Sequence, residues 1–203
     1  MIRYLLISAF LYLFLSCKSY QIPYAVGVEN TTSIVQNQYF LEESIDYVYK
    51  THIEIYGNQL SGIFITKRLN DSLHRMVLTT DFGNKLLDFE ISENSFKLNF
   101  IVNNLNKKII INTLKNDFRT LLQVNHNVMK TYKTKNEIIY QTKNKLYFYN
   151  DLITNNLNKI IKTNKRKERV IFTFHSKKPS FAENITIQHK NIKLKIEFNQ
   201  IIY

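Results

Sequence analysis

Residues 107–122 read KKIIINTLKNDFRTLL, and this stretch decides the fold. Upstream of it apolar residues alternate with polar ones, and at Asn104 the period changes. Ile110, Ile111, Leu114, Phe118, Leu121 and Leu122 then recur at spacings of three and four, with Asn112, Lys115, Asn116 and Arg119 opposite. Such a stripe is that of an amphipathic helix of about four turns. Asn104 or Asn106 is placed to cap its start, while Lys107 and Lys108 face the positive end of the helix dipole. A helix with one apolar stripe must bury it against an apolar face. At roughly 1.5–3 kcal/mol per large side chain, the stripe is worth on the order of 10 kcal/mol before entropy.

The flanking sequence supplies that face. In residues 45–56, Ile45, Tyr47, Tyr49, Ile53 and Ile55 alternate with Asp46, Lys50, His52 and Glu54, the period of a half-buried strand. Gly57-Asn58 turns into residues 60–69, with Ile63 and Ile65 on one face, and 73–80 returns with Met76 and Leu78. Leu87, Phe89 and Ile91 oppose Asp88 and Glu90; Phe96, Leu98, Phe100 and Val102 alternate with Lys97 and Asn99. After the helix, 124–135 is polar and reads as a loop with a short strand. Residues 136–142, 145–150 and 157–162 read as short strands. Around the last of these, Ile153, Leu157, Ile160 and Ile161 also suit a helix, which Asn155 and Asn156 disfavour. Val170, Phe172 and Phe174 share a face, Pro179 breaks the chain, and Ile185 to Phe198 forms a closing hairpin around Asn191. The expected fold class is α+β. It is a single domain over 39–203, with an antiparallel sheet of about ten strands packed on one central helix near 107–122.

The other informative stretch is MIRYLLISAFLYLFLSC, residues 1–17. Arg3 precedes an apolar run from Tyr4 to Leu15, which ends at Ser16 and the single cysteine, Cys17. The run is too short to cross a hydrocarbon layer of roughly 30 Å as a standard helix, and it has the build of a secretory signal. Ending directly on a cysteine, it resembles the signal of bacterial lipoproteins. That resemblance implies cleavage between Ser16 and Cys17, acylation of Cys17, and a lipid-anchored product. Residues 1–16 are then the signal and 17–38 a tether. An ordinary signal or anchor with a chance cysteine is the alternative reading of the same residues.

The order of elements is similar to that of the LolA/LolB-like lipoprotein carriers, in which a curved sheet wraps a helical plug. The likeness runs over roughly 39–203. It lies in Gly83-Asn84-Lys85-Leu86-Leu87-Asp88-Phe89 before the helix. Lys145-Leu146-Tyr147 before Leu157-Asn158-Lys159-Ile160 is a second match, and Phe181 to Ile187 entering the final hairpin is a third. The family's closing strand usually follows a proline directly, whereas this chain has Pro179 and Phe181; it also has no Trp. The resemblance implies a non-enzymatic lipoprotein of the Gram-negative outer membrane, facing the periplasm and holding lipid or lipoprotein acyl chains. Core-filling and cavity-lining residues read alike, so a filled core, serving as a structural or interaction module of an envelope complex, stays open beside it.

The remaining chemistry is sparse. The net charge is +12, and one dense cluster, Lys162, Lys165, Arg166, Lys167 and Arg169, reads as a hairpin loop or a contact with lipid headgroups. Export and scattered lysines argue against a nucleic-acid partner. The histidines, His52, His74, His126, His175 and His189, form no HxxxH or HExxH pair, so no metal is expected. There is no GxSxG elbow or phosphate loop, and no cofactor is implied. Asp81, Asp88 and Glu90 read as a solvated face beside lysines rather than an acid–base pair.

Overall fold

The computed structural model describes residues 20–201. Ser16, Cys17 and the apolar run read as a signal lie outside the described residues. The described chain forms fourteen strands in one antiparallel sheet and a single α-helix. Two short strands come first, β1 (Val26–Val28) and β2 (Ile34–Gln36), then a 3-10 turn over Gln38–Phe40. A meander follows: β3 (Asp46–Ile55), β4 (Asn58–Arg68), β5 (His74–Thr79), β6 (Lys85–Ile91) and β7 (Phe96–Ile101). The helix α1 (Lys108–Leu122) leads to a second meander. Its strands are β8 (Asn125–Lys133), β9 (Glu137–Thr142), β10 (Leu146–Asp151), β11 (Leu157–Asn164), β12 (Lys167–His175), β13 (Asn184–His189) and β14 (Leu194–Gln200). The last strand returns to pair with β3, placing Ile196 opposite Ile53, so the order runs β1-β8 through β14 to β3 and on to β7.

This corrects the α+β expectation. Strands hold 54% of the described residues and helical turns 12%, so the fold is a barrel-like sheet with one short helix. The excess over about ten strands comes from polar sequence. β1 and β2, within the stretch read as a tether, both pair with β8, which read mostly as loop. A strand at or next to the edge of a sheet is held by ladder hydrogen bonds and need bury little, so its side chains show no clear alternation.

The structure settles one face that alternation leaves open and alters another. In β4 the inward residues are Gly62, Phe64 and Thr66, and Ile63 and Ile65 lie on the outer face. Both faces of β4 are apolar, so parity alone was ambiguous. The register brings Gly62 so close to the Thr79 carbonyl of β5 that an added Cβ would lie 1.7 Å from its oxygen. In β7 the pairing shifts by one residue, with Phe89 opposite Leu98 but Asp88 opposite Phe100. The bulge turns Phe100 outward, and no alternating pattern survives a bulge. Helix α1 starts as expected, but its N-cap is Lys107, without a side-chain cap hydrogen bond. Asn106 instead closes the preceding 3-10 turn through its backbone N–H to Asn103.

The sheet is rolled. Tyr39 donates its hydroxyl to the Leu157 carbonyl of β11 at 2.6 Å, while the neighbouring Phe40 carbonyl is 3.1 Å from His74 Nε2 of β5. Six strand steps at about 4.8 Å would separate β5 from β11 by about 29 Å in a flat sheet. One dipeptide cannot reach both unless the sheet curls around it. Inside the roll, α1 lies on the inner face. Phe118 stacks on Phe64 (5.6 Å between centroids) and meets Phe89 and Phe198 edge-on. Outside, Ile139, Tyr147, Tyr149 and Ile161 form a smaller apolar cluster, covered by Tyr20, Ile22 and Ala25 of the N-terminal segment.

Candidate functional site

The inner face under α1 is the candidate site. Ile110, Leu114, Phe118, Leu121 and Leu122 point from the helix into the core. Asp117 points the same way, because its spacing of three from Leu114 and four from Leu121 puts it inside the apolar stripe. In β13, Ile185 and Ile187 face inward, and the period of two carries His189 inward after them. The two polar residues meet there: His189 Nε2 and Asp117 Oδ2 are 2.7 Å apart, with side chains 6% and 2% exposed. Burial pushes the Asp117 carboxyl above its ordinary range, against the opposing pull of His189 and Lys162. The reading of the histidines as scattered passed over this pair. Its signal was present in both periodicities, a polar residue on an apolar face of each element.

Around the pair the helix is pinned by further polar contacts. Arg119 donates from Nε to the Ser92 carbonyl at 2.9 Å and from Nη2 to that of Ser95 at 3.0 Å, tying α1 to the β6–β7 turn. Asn37 donates its side-chain amide to the Leu121 carbonyl at 2.6 Å. Under the helix Phe64, Phe89, Phe118 and Phe198 are all buried. A hollow beside His74, Arg119 and Leu122 measures about 10 Å³, roughly one water. Larger hollows of about 350, 510 and 600 Å³ lie at the outer surface, the first beside Glu54, Gln59 and Lys193, the second beside Lys135, Glu137 and Asp151, and the third along Tyr20–Ala25.

Of the carboxylates read as a solvated face, Asp88 falls differently, whereas Asp81 and Glu90 stay exposed or partly exposed beside lysines. Asp88 is 1% exposed on the outer side of β6, where Arg75, Lys85 and Asn99 all donate to it. The Arg75 guanidinium, with Lys85 and Asn99, holds its carboxyl well below the usual range. Glu90 takes a hydrogen bond from Asn99, and Asp81 pairs with Lys50. Each of these acids is tied to a cation or amide, so together they form a charge network. Among the described residues no group of three or more His, Cys, Asp or Glu is arranged to hold a metal. Cys17 and Ser16, the expected acylation and cleavage positions, lie outside the described residues.

His126 sits 4.5 Å from the Phe148 ring, with Nε2 3.1 Å from the Gln123 carbonyl. Burial lowers its pKa to about 4. A base whose folded pKa is depressed contributes stability above its unfolded value of about 6.5 and loses it as pH falls through the folded value. The protein is therefore expected to lose about 3 kcal/mol from this residue between pH 6.5 and pH 4. His74, also lowered by burial, acts in the same direction. Urea unfolding midpoints across that window check this, and His126→Gln should flatten the slope; an unchanged slope counts against the assignment.

The chain matches no family model and no curated protein.

Proposed function

We propose that this chain is an envelope lipoprotein, anchored through acylated Cys17, whose rolled sheet takes up an apolar chain of a lipid or a lipoprotein when α1 lifts from the inner face. The observation that carries this reading is the way α1 is held. It covers an aromatic face, yet one of its central contacts is the buried Asp117–His189 pair. A hydrophobic pair of the same volume would hold at least as firmly. A polar pair instead defines one docked position and can be re-satisfied by water when the helix moves. Displacing α1 would uncover Phe64, Phe89 and Phe198, a face suited to an acyl chain.

A second reading has its own support. The aromatics are buried and the hollow at the helix is water-sized, which favours a filled core in a structural or interaction module. Two measurements test the proposal. Cells given radiolabelled palmitate are expected to label the chain, and Cys17→Ala is expected to abolish the label; label retained by that variant refutes the anchor. The protein purified from membranes is expected to bind a fluorescent fatty acid and to carry noncovalent lipid in native mass spectra. Absence of both gives the second reading.

A further inference from the structure

We propose that one edge of the sheet, the edge carrying the turns 143–145, 165–166 and 190–193, rests on the anionic surface of the bilayer that holds the acyl chains of Cys17. This rests on the acylation proposed above and adds the orientation of the domain on its membrane.

In an antiparallel meander every second turn falls at the same edge, so the turns β9–β10, β11–β12, β13–β14 and β3–β4 lie side by side. The first three carry exposed Lys143, Lys145, Lys165, Arg166, Lys190 and Lys193. The next turn along, β5–β6, adds one acid, Asp81, which pairs with Lys50. The opposite edge is balanced: its turns hold Lys135, Lys177 and Lys178 against Asp71, Glu93 and Glu183. Six cations against one acid thus lie along this rim, a net of +5 (6 − 1) out of the chain's +12, where they can act together on a charged plane within a Debye length of about 8 Å.

The chain emerges at that same rim. Tyr20 donates its hydroxyl to Glu168 at 2.7 Å and packs edge-on against Tyr147, 5.0 Å between centroids. Glu168 lies two residues past the 165–166 turn, and Tyr147 stands near the start of β10, beside the 143–145 turn. Cys17 precedes Tyr20 by three residues, and an extended chain spans at most about 3.6 Å per residue, so the two Cα atoms lie within about 11 Å. An acyl chain on Cys17 therefore enters the bilayer next to the basic turns. The same rim that carries the positive charge is the one the anchor draws down.

The test uses the full chain purified from membranes and reconstituted into phosphatidylcholine vesicles with or without phosphatidylglycerol. Acylation blocks Cys17, so Asn144→Cys on the basic edge and Asn94→Cys on the opposite edge each supply one thiol for an environment-sensitive fluorophore. With phosphatidylglycerol, the label at position 144 is expected to be quenched by aqueous iodide roughly fivefold less than that at 94. The difference should fall to within about twofold in pure phosphatidylcholine or at 1 M salt. Lys165→Glu combined with Lys190→Glu should erase the protection while the unfolding midpoint stays unchanged. Equal quenching of the two labels on anionic vesicles overturns the proposal. So does equal protection of position 144 by soluble polyphosphate without vesicles, which would make the rim a general polyanion site. A chain that takes no palmitate overturns the anchor and the docking together, whereas a palmitoylated chain with equal quenching overturns the docking alone.

Discussion

His189→Ala is expected to destabilise the protein by about 3–5 kcal/mol, read as a lower urea midpoint at unchanged m. The magnitude follows from burial: Asp117 keeps only 2% of its side chain exposed, so removing its partner strands a carboxylate in apolar surroundings. The loss should depend on pH in a definite sense. The folded-state pKa of Asp117 is raised by burial, so its contribution is fully favourable below the ordinary carboxylate range and is lost as pH rises through the raised value. The His189→Ala penalty should therefore be largest near neutral pH and shrink in acid, where Asp117 is protonated in both states. Asp117→Leu combined with His189→Leu is expected to recover most of the stability, because both polar groups then leave together. If the double variant is as unstable as the single one, the pair is not an isolated polar contact. The same double variant bears on function: with the proposed latch replaced by apolar contact, fatty-acid uptake should weaken although the fold is retained.

Phe118→Ala is expected to cost about 3–5 kcal/mol, at the upper range for a buried aromatic truncated in a core that cannot collapse. Phe118 is 1% exposed and lies against Phe64, Phe89 and Phe198, which belong to three different strands, so no single element can move in to fill the gap. Phe82, 94% exposed in the β5–β6 turn, is the internal comparison, and Phe82→Ala should stay within about 0.5 kcal/mol of the parent. Equal effects of the two substitutions would contradict the packing described for α1.

The helix was legible because its signal is local: residues three and four apart share a face whatever surrounds them. For the same reason Asp117 was visible as a polar residue inside an apolar stripe, and His189 as the next inward position after Ile185 and Ile187. Their meeting was not visible, since they are far apart in sequence and are joined only by the return of β12 and β13 over the helix. Strands with one wet face, such as β3 and β5, were read from alternation. β4 has apolar residues on both faces, so alternation leaves its inward face open, and β8, next to the edge, reads as a loop with a short strand because its pairing is made by backbone groups that carry no side-chain pattern.

The amino-acid order by itself determined the amphipathic helix, the wet and dry faces of most strands, the cysteine that ends the leading apolar run, and the excess of positive charge. Tertiary structure alone decided that β14 closes onto β3, that the sheet rolls around Tyr39 and Phe40, and that Lys143, Lys145, Lys165, Arg166, Lys190 and Lys193 share one rim where Tyr20 lies. The physical reason is range: periodicity acts over a few residues, whereas strand partners and shared edges are chosen by hydrogen-bond register between segments that are distant along the chain.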